Sequence, residues 1–339
     1  MMNSPITPTV DFSRQGVQHG FLKLPYSRDD SAWGAVMIPI TVIRHGSGPT
    51  VLLTGANHGD EYEGPVALIK LANSLTAEEV SGCVIIVPYL NYPAFRAGRR
   101  TSPIDQGNLN RSFPGRPDGS VTQKIADYVQ RHLLPQADFV LDIHSGGKTL
   151  DFVPFAAVHV LDDKAQQARC AAAMRAFGAP YSMMMLELDN VGMFDSAAEA
   201  AGKVFVSTEL GGGGSTTAAS IAIAESGVRR LLAHAGVCEG RVDPPETVML
   251  DMPDGDCFIT CLNDGLLEMC KDLGETVIPG ELLARVHDTA RTGMTPIEYR
   301  ARRGGLLASR HFPGLIGCGD TLAVVADIVS PSPRVQPVP

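Results

Sequence analysis

The sequence predicts an α/β fold with a mixed, mostly parallel central sheet and helices on both faces, followed by a small β-barrel or sandwich domain. Short, continuous apolar runs alternate with longer helix-like stretches from Val51 to about Gly236, which is typical of parallel strands covered on both faces. Beyond residue 243 the chain becomes rich in turns and short apolar runs, which favours an all-β unit. The predicted division is a first domain over 1–243 and a β-rich second domain over 244–339.

The elements of the first domain are predicted from these runs. Residues 1–50 contain alternating apolar segments such as AVMIPITVI (35–43), interrupted by Pro39. Because proline in sheets is largely confined to edges, this region is predicted to add antiparallel strands at the sheet edge. Further strands are predicted at four runs, VLLT (51–54), CVIIVPYL (83–90), DFVLDI (138–143) and KVFVST (203–208). Helices are predicted at PVALIKLANSL (65–75), at VTQKIADYVQRHLL (121–134) and after the GGGG run.

An internal repeat organises the C-terminal region. The boundary is marked by DPPETVMLDMPDGD, which is rich in proline and aspartate. Beyond it, GLLEMCKDLGETVIPGELLARVHD (265–288) is echoed by GLLASRHFPGLIGCGDTLAVVAD (305–327), each with a glycine–acidic pair about 15 residues after its start. Two similar turn-rich units predict a small β domain with internal pseudo-symmetry.

Composition excludes several classes of function. The formal charge of −9 over 339 residues offers no basic face to a nucleic acid. No apolar run approaches the roughly 18 residues that span a bilayer, and the N-terminal segment lacks a basic-then-apolar signal layout. The seven cysteines are never spaced as CxxC, which argues against a disulfide framework or a cysteine metal site. We therefore expect a cytoplasmic protein without nucleic-acid or membrane partners.

Side chains that bind metals or transfer protons follow three of the predicted strands. His58 and Glu61 come after VLLT as HGDE, His144 follows DFVLDI as DIHSGG, and Glu209 follows VFVST as TELGGGG. In open α/β sheets the ligand site lies beyond the carboxyl ends of the strands. Two histidines and a glutamate form a recognised catalytic zinc set. The pattern therefore predicts a metal site that combines His58, Glu61 and His144.

Asp142 is predicted to support this site. It lies two residues before His144, on the same face of an extended strand, where it could accept the free imidazole N–H and orient the ring. Other interpretations exist for each residue taken alone: an isolated HxxE is frequent by chance, and Glu209 could simply be a helix N-terminal carboxylate. Isolated histidines, His159 among them, are interpreted as surface or hydrogen-bonded core groups. The hypothesis rests on the conjunction of the motifs.

In this order and spacing, HGDE, NLNR, DIHSGG and TELGGGG resemble the succinylglutamate desuccinylase/aspartoacylase family of zinc hydrolases, relatives of the zinc carboxypeptidases. The resemblance covers nearly the whole chain, including the C-terminal β domain. It implies a zinc carboxypeptidase-like fold and one Zn²⁺ ion per chain, held by His58, Glu61 and His144. It also implies that Glu209 is the general base and acid.

The resemblance further implies how a substrate is bound. Asn110 and Arg111 of NLNR would hold the α-carboxylate of a small N-acylated amino acid. An upstream arginine would polarise the scissile carbonyl, and Arg99 and Arg100 compete for this role, with Arg100 preferred. The variant RxSPIDxGNLNRSFPG looks closest to the branch of the family that removes the acetyl group from N2-acetyl-L-2,4-diaminobutanoate in ectoine degradation, releasing acetate and diaminobutanoate.

Several alternatives remain open at this point. A cationic substrate side chain would want an acidic pocket, for which residues 185–202 supply Glu187, Asp189 and Asp195, although a plain surface loop explains each of them equally well. N-acetylaspartate or N-succinylglutamate would instead require an extra basic residue, and none is obvious. A metal-binding protein with a decayed site is the non-enzymatic alternative, against which the intact ligand set argues. A serine hydrolase is disfavoured because the chain has no GxSxG motif. The exact substrate, the metal used in the cell and the oligomeric state, including a homo-oligomer, stay undetermined.

Overall fold

The computed structural model describes residues 3–185, 191–240 and 243–329. Its strands are β1 Thr7–Pro8, β2 Gly16–Pro25, β3 Ala35–His45, β4 Thr50–Gly55, β5 Gly82–Val87, β6 Phe139–His144, β7 Leu150–Phe152, β8 Phe155–His159, β9 Tyr181–Met185, β10 Val204–Glu209, β11 Val248–Asp251, β12 Phe258–Thr260, β13 Gly265–Met269, β14 Thr276–Val277, β15 Leu282–His287, β16 Ile297–Arg300, β17 Gly305–His311, β18 Leu315–Ile316 and β19 Thr321–Val329. Its α-helices are α1 Glu63–Ser74, α2 Tyr92–Ala97, α3 Val121–Tyr128, α4 Lys164–Phe177, α5 Phe194–Ala200 and α6 Ala218–His234.

Most of these strands join one large mixed sheet. Its order is β1-β2-β3-β5-β4-β6-β10-β8-β9-β11-β19-β17-β14. From β5 to β11 neighbouring strands run parallel except for β10 and β8. The strands β1, β2 and β3 pair antiparallel at one edge, as the alternating N-terminal segments predict. The predicted α/β class with a mixed sheet is confirmed.

Helices cover the sheet on both faces. Helices α1, α4 and α6 pack on one face, where Leu53 and Leu141 belong to the core. Helices α3 and α5 pack on the other, where Leu52 and Val140 belong to a second core. Consecutive residues of one strand point to opposite faces, so a strand buried on both faces is apolar throughout. This explains why the central strands are continuous apolar runs in the sequence.

Local sequence signals fix the helix ends. Ser120 and Thr217 each form a capping box with the residue three positions later, at the starts of α3 and α6, and such caps satisfy backbone N–H groups that have no partner inside the helix. Helix α4 ends at Gly178, which adopts the left-handed conformation. The helix predicted over 121–134 is α3 followed by a π turn at Val129–Leu133 and a 3-10 turn at Leu134–Gln136. The last turn contains a proline, which cannot donate a helical hydrogen bond.

The C-terminal strands divide between two sheets. Strands β16, β15, β13 and β18 form a separate antiparallel sheet, whereas β11, β12, β14, β17 and β19 continue the large one. In the first repeat unit β13 pairs with β15, and in the second β17 pairs with β19. The short strands exchange between units, because β14 pairs with β17 and β18 pairs with β13. The large sheet runs across residue 243, and the division into 1–243 and 244–339 stays a prediction.

Two further features of the described chain are its unpaired cysteines and the character of its helices. All seven cysteines lie within the described ranges and are unpaired. Burial raises the thiol pKa of Cys83 and of Cys170. Across the described ranges, no helix combines the length and the apolar character needed to cross a bilayer.

Candidate metal centre and active site

Three parallel strands deliver the predicted site residues to one edge of the sheet. Strand β6 lies between β4 and β10 and runs parallel to both. His144 is the last residue of β6 and faces Glu209, the last residue of β10, across the ladder. The chain leaves β4 through Ala56, whose φ of 48° is uncommon for a residue with a side chain, and reaches His58 two residues later. The strand ends therefore meet as the sequence predicts.

The HGDE loop is held against its neighbours by close packing at Gly59 and by side-chain hydrogen bonds to the backbone. A Cβ atom at Gly59 would overlap the backbone of α2 at Ala94, so only glycine allows this approach without displacement. Asp60 accepts a hydrogen bond from the backbone N–H of Lys148 at 3.0 Å. Lys148 in turn donates from Nζ to the carbonyl oxygen of Gly98 at 2.5 Å. These contacts tie the loop after β4 to the loop after β6 and to the end of α2.

His58, Glu61 and His144 form a compact buried cluster. Glu61 Oε1 lies 2.7 Å from His58 Nδ1, and Glu61 Oε2 lies 2.8 Å from His144 Nδ1. The candidate ligand atoms all lie within 4.8 Å of one another. Two imidazole nitrogens and one carboxylate, with a further position left for water or substrate, are the donors of catalytic zinc sites. Among the residues that the structure describes, no other group of three histidine, cysteine or acidic side chains meets this condition.

The hydrogen bonds around His144 suit a side chain that could bind a metal ion. Its Nε2 lies 2.7 Å from Asp142 Oδ2, and because a carboxylate only accepts, Nε2 carries a proton. A neutral ring then presents the Nδ1 lone pair to Glu61, and two acceptors 2.8 Å apart require a proton or metal ion between them. Burial opposes a charged ring, but Asp142 and Glu61 outweigh it and hold the pKa of His144 well above its usual value. Burial lowers the pKa of His58, which favours the neutral form that ligates metals.

Asp142 is itself fixed by further donors. It is fully enclosed and accepts from Asn57 Nδ2 at 2.8 Å and from Thr54 Oγ1 at 2.6 Å. Burial opposes its ionisation, but the charge and hydrogen bond of His144 and the bonds from Thr54 and Asn57 keep the pKa of Asp142 below its usual value. The carboxylate is thus held in position behind His144.

Glu209 lies in the same site with a strongly perturbed acidity. Burial, reinforced by the negative charge of Glu61, raises the pKa of Glu209 to about 8. Its Oε2 is buried and, within the described chain, accepts no hydrogen bond. A carboxylate whose pKa lies near neutrality is suited to take and return a proton.

The predicted substrate-binding residues line one cavity together with His58 and His144. The cavity has a volume of about 170 Å³, and Arg100, Asn110 and Arg111 form part of its wall together with Glu209. Arg100 Nη1 lies 3.7 Å from Glu61 Oε1, whereas Arg99 is not among the residues lining the cavity. Of the two competing arginines, the structure brings Arg100 to the site. A space of this size suits a small molecule, since drug-sized ligands occupy pockets of roughly 300–1,000 Å³.

The loop that carries Asn110 and Arg111 is anchored at both ends. Asp105 accepts from the backbone N–H of Thr122 at 2.7 Å and from its hydroxyl at 2.8 Å, at the start of α3. Burial opposes ionisation of Asp105, but hydrogen bonds from neighbouring hydroxyl and backbone groups outweigh it and hold its pKa below the usual value. At the other end, Asn110 Oδ1 accepts from the backbone N–H of Phe194 at 2.9 Å, and Arg111 Nη1 donates to the Asn110 carbonyl at 2.7 Å.

One residue of this cavity, His159, escapes the sequence-based prediction. His159 is buried and lines the cavity rather than lying in a remote part of the core, and its Nδ1 lies 3.0 Å from Glu199 Oε1. The alternation of Phe155, Ala157 and His159 along β8 is the signal that could have found it. Of the three acidic residues predicted for a cationic side chain, Asp195 lines the cavity. The other two, Glu187 and Asp189, lie outside the described residues.

Comparison with known proteins identifies a matching family and several similar proteins. Residues 47–235 match the profile of a family described as the succinylglutamate desuccinylase/aspartoacylase catalytic domain. The chain is 59% identical over 328 residues, 96% of either protein, to the N-alpha-acetyl-L-2,4-diaminobutyric acid deacetylase of Halomonas elongata. It is 66% identical, with a TM-score of 0.95, to the product-bound ectoine utilization protein EutE (DoeB) of Ruegeria pomeroyi, covering 96% of this chain and 100% of that one. A succinylglutamate desuccinylase/aspartoacylase from Rhodobacter sphaeroides shares 38% identity with a TM-score of 0.92, over 97% of this chain and 100% of that one.

Proposed function

The chain belongs to the succinylglutamate desuccinylase/aspartoacylase family, and from this premise we propose that it is a zinc-dependent amidohydrolase acting on N2-acetyl-L-2,4-diaminobutanoate. The products would be acetate and L-2,4-diaminobutanoate, in the degradation of ectoine. The observation that carries the proposal is one cavity lined by both histidines of the candidate metal cluster, by Glu209 and by two arginines. The choice of substrate is supported by the 59% identity to a deacetylase of that specificity. A cytoplasmic location and one zinc ion per chain remain predictions.

The donor set fits a catalytic zinc ion. His58, Glu61 and His144 would hold it, and Asp142 would keep His144 oriented through the 2.7 Å contact to Nε2. When bound, zinc acts as a Lewis acid that polarises a carbonyl oxygen and lowers the pKa of water to about 7. Three protein ligands leave one position open, as a hydrolytic site requires.

The arginines would position the substrate. Arg111 presents a planar guanidinium that can grip the α-carboxylate with two parallel hydrogen bonds, and Asn110 lies beside it in the wall. Arg100, close to Glu61, would stabilise the negative charge that develops on the amide oxygen. Losing one such donor typically costs roughly 10²–10³ in rate.

Glu209 would transfer the protons. As a carboxylate it accepts a proton from the attacking water while the new carbon–oxygen bond forms. It then gives this proton to the amide nitrogen, so that the carbon–nitrogen bond breaks and the amine leaves uncharged. A pKa of about 8 lies near neutrality, where a group can serve both as acceptor and as donor.

Acetate release from a matched panel tests the proposal. The panel contains N2-acetyl-L-2,4-diaminobutanoate, its N4-acetyl isomer, N-acetylaspartate and N-acetylornithine, each assayed with and without a chelator. We expect turnover of the first compound, abolished by the chelator and restored by added zinc. Preferred turnover of N-acetylaspartate would retain the chemistry and reject the substrate. Bound metal without turnover of any compound would reject the enzymatic function.

A further inference from the structure

The cavity continues along the sheet, away from the candidate metal ligands. Strand β8 pairs antiparallel with β10, so that Phe155 lies beside Glu209 and Ala157 lies beside Ser207. All four of these residues line the cavity, and so does His159, two positions further along β8. From Phe155 to His159 the strand advances by roughly 13 Å. The cavity therefore extends from the level of Glu209 toward His159.

Asp195 and His159 lie together at this far end. Asp195 belongs to the first turn of α5 and is 7% exposed. Its Oδ1 accepts from the backbone N–H of Ser196 at 2.6 Å, and its Oδ2 lies 4.0 Å from His159 Nε2. Glu199, one helical turn later, lies 3.0 Å from His159 Nδ1. Because a carboxylate only accepts, the Nδ1 atom of His159 carries a proton. Two carboxylates thus flank one imidazole ring, and the three side chains together carry a net negative charge.

The Asp195 carboxylate at this end of the cavity is suited to an ammonium group. An ammonium has three N–H donors and no acceptor. Asp195 lines the cavity and offers such a group a negatively charged acceptor at the usual hydrogen-bond distance of about 2.9 Å. A methyl group there would leave a buried carboxylate without compensation for lost water, and a carboxylate would be repelled by Asp195. Met185 and Met193 also line the cavity and offer apolar contact to methylene groups.

The arginine clamp adjoins this end of the cavity. Asn110 accepts from the backbone N–H of Phe194, the residue before Asp195, so the predicted carboxylate site and Asp195 are neighbours. In a 2,4-diaminoalkanoate the α-carboxylate and the terminal ammonium are likewise separated by a short chain, the α-carbon and two methylene groups. The cavity thus places a positively charged arginine where the α-carboxylate of such a substrate would lie, and the negatively charged Asp195 where its ammonium would lie.

We propose that Asp195, beside the His159–Glu199 pair, binds the side-chain ammonium of the substrate and makes the enzyme select cationic over neutral or acidic N-acetyl amino acids. This inference rests on the proposed function, because it concerns the same cavity. Specificity would come from both the attraction of an ammonium and the rejection of groups that leave the carboxylate unpaired or repelled.

Selectivity against an uncharged analogue is the decisive measurement. The values of kcat/KM are determined for N2-acetyl-L-2,4-diaminobutanoate and for N-acetyl-L-norvaline, in which a methyl group replaces the ammonium. We expect the wild type to prefer the charged compound. The nearly isosteric Asp195→Asn should lower its kcat/KM by roughly 10- to 100-fold, the usual range for a hydrogen bond to a charged group, while the value for the norvaline compound changes little. Asp195→Glu, which keeps the charge, should retain part of the preference.

Asp127→Asn provides the matched control. Asp127 is a buried aspartate of α3 that pairs with Arg131 and does not line the cavity, so its replacement should leave the selectivity ratio unchanged. An equal loss on both compounds in Asp195→Asn would mean that Asp195 is only structural, and an unchanged preference would mean that it does not bind the ammonium. Either result overturns the inference and leaves deacetylation intact.

A binding experiment with the reaction product tests this inference independently of the proposed function. Calorimetry compares L-2,4-diaminobutanoate with L-norvaline on the zinc-loaded protein, without any turnover. Tighter binding of the diamine by the wild type, lost in Asp195→Asn, would support the ammonium site even if acetate release failed. Equal binding of both amino acids would overturn it even if the acetylated substrate were hydrolysed.

Discussion

Replacing Asp142 by asparagine would remove the charge behind His144 with little change in shape. With its amide oxygen turned toward His144 and Asn57, the new side chain would place its NH₂ group near Thr54 Oγ1. That hydroxyl now donates to Asp142 at 2.6 Å and lies 3.2 Å from the Leu141 carbonyl. It can therefore turn to donate to the carbonyl and accept from the amide. The substitution therefore keeps every hydrogen-bond partner and removes only the negative charge.

The expected effect is a weaker metal site. Losing the carboxylate partner of a ligating histidine typically lowers metal affinity by 10- to 100-fold, which corresponds to about 1.4–2.7 kcal/mol. Competition with a chromogenic chelator at constant pH measures this affinity, and kcat at saturating zinc reports whether the chemistry is retained. We expect the affinity to fall within this range and the folded state of the metal-free protein to be preserved.

Two outcomes would refute this reasoning about Asp142. Unchanged zinc affinity would mean that the contact to His144 does not tune the ligand. A loss of affinity matched by a large drop in the unfolding midpoint of the metal-free protein would assign Asp142 to folding instead. Asp127→Asn, the same chemical change at a buried aspartate outside the cavity, serves as the control and should retain full affinity.

Three further predictions concern the base, the metal-binding loop and the arginine-bearing loop. Glu209→Gln should lower kcat by roughly 10²–10⁴ with zinc content unchanged, as measured by acetate release and metal analysis; loss of the metal would show that Glu209 is a ligand. Gly59→Ala should lower the free energy of unfolding by about 1–3 kcal/mol, because its Cβ would overlap the backbone of α2, whereas Gly255→Ala, which meets open space, should not. Asp105→Ala should lower the free energy of unfolding by about 1–2 kcal/mol near pH 7, since the cap on Thr122 is lost. Because the folded-state pKa of Asp105 lies below its unfolded value, its contribution is complete above a pH of about 4 and is lost as the pH falls through the depressed folded pKa. Urea unfolding from pH 7 to pH 3 should therefore show the difference from wild type shrinking at the acid end; a constant difference would contradict this.

The positions of the residues at the strand ends could be predicted from two things: the short apolar runs that identify buried strands, and the rule that parallel neighbouring strands end at the same edge of a sheet. Leu52 and Leu53 are apolar in succession since they enter opposite cores, which identifies a strand buried on both faces. Parallel neighbours end at the same edge of a sheet, so the residues that follow such strands meet in space. This argument places His58, His144 and Glu209 together without knowledge of the strand order.

The far end of the cavity could not be predicted in this way. It depends on β8, which lies between β10 and β9, antiparallel to the first and parallel to the second, and which brings His159 to the cavity. It also depends on α5, which sets Asp195 near that histidine at a separation of 36 residues in the sequence. A lone histidine in a short apolar run and an aspartate in the first turn of an alanine-rich helix carry no local sign of their proximity. Pairings of this kind follow from the assembled sheet.

The C-terminal region contributes to the site through backbone contacts that leave no motif in the sequence. Strand β17 pairs with β7, directly after the His144 loop, and the backbone N–H of Phe312 donates to the Thr149 carbonyl at 2.9 Å. The Phe312 ring packs where a Cβ atom at Gly213 would lie, so it contacts the glycine-rich loop after Glu209. The two glycine-rich loops are also joined to each other, because the N–H of Gly146 donates to the Gly211 carbonyl at 2.9 Å. Strand β17 and Phe312 therefore restrain both the loop after the metal ligand and the loop after the proposed base, which fixes their relative position more firmly than the short parallel ladder alone.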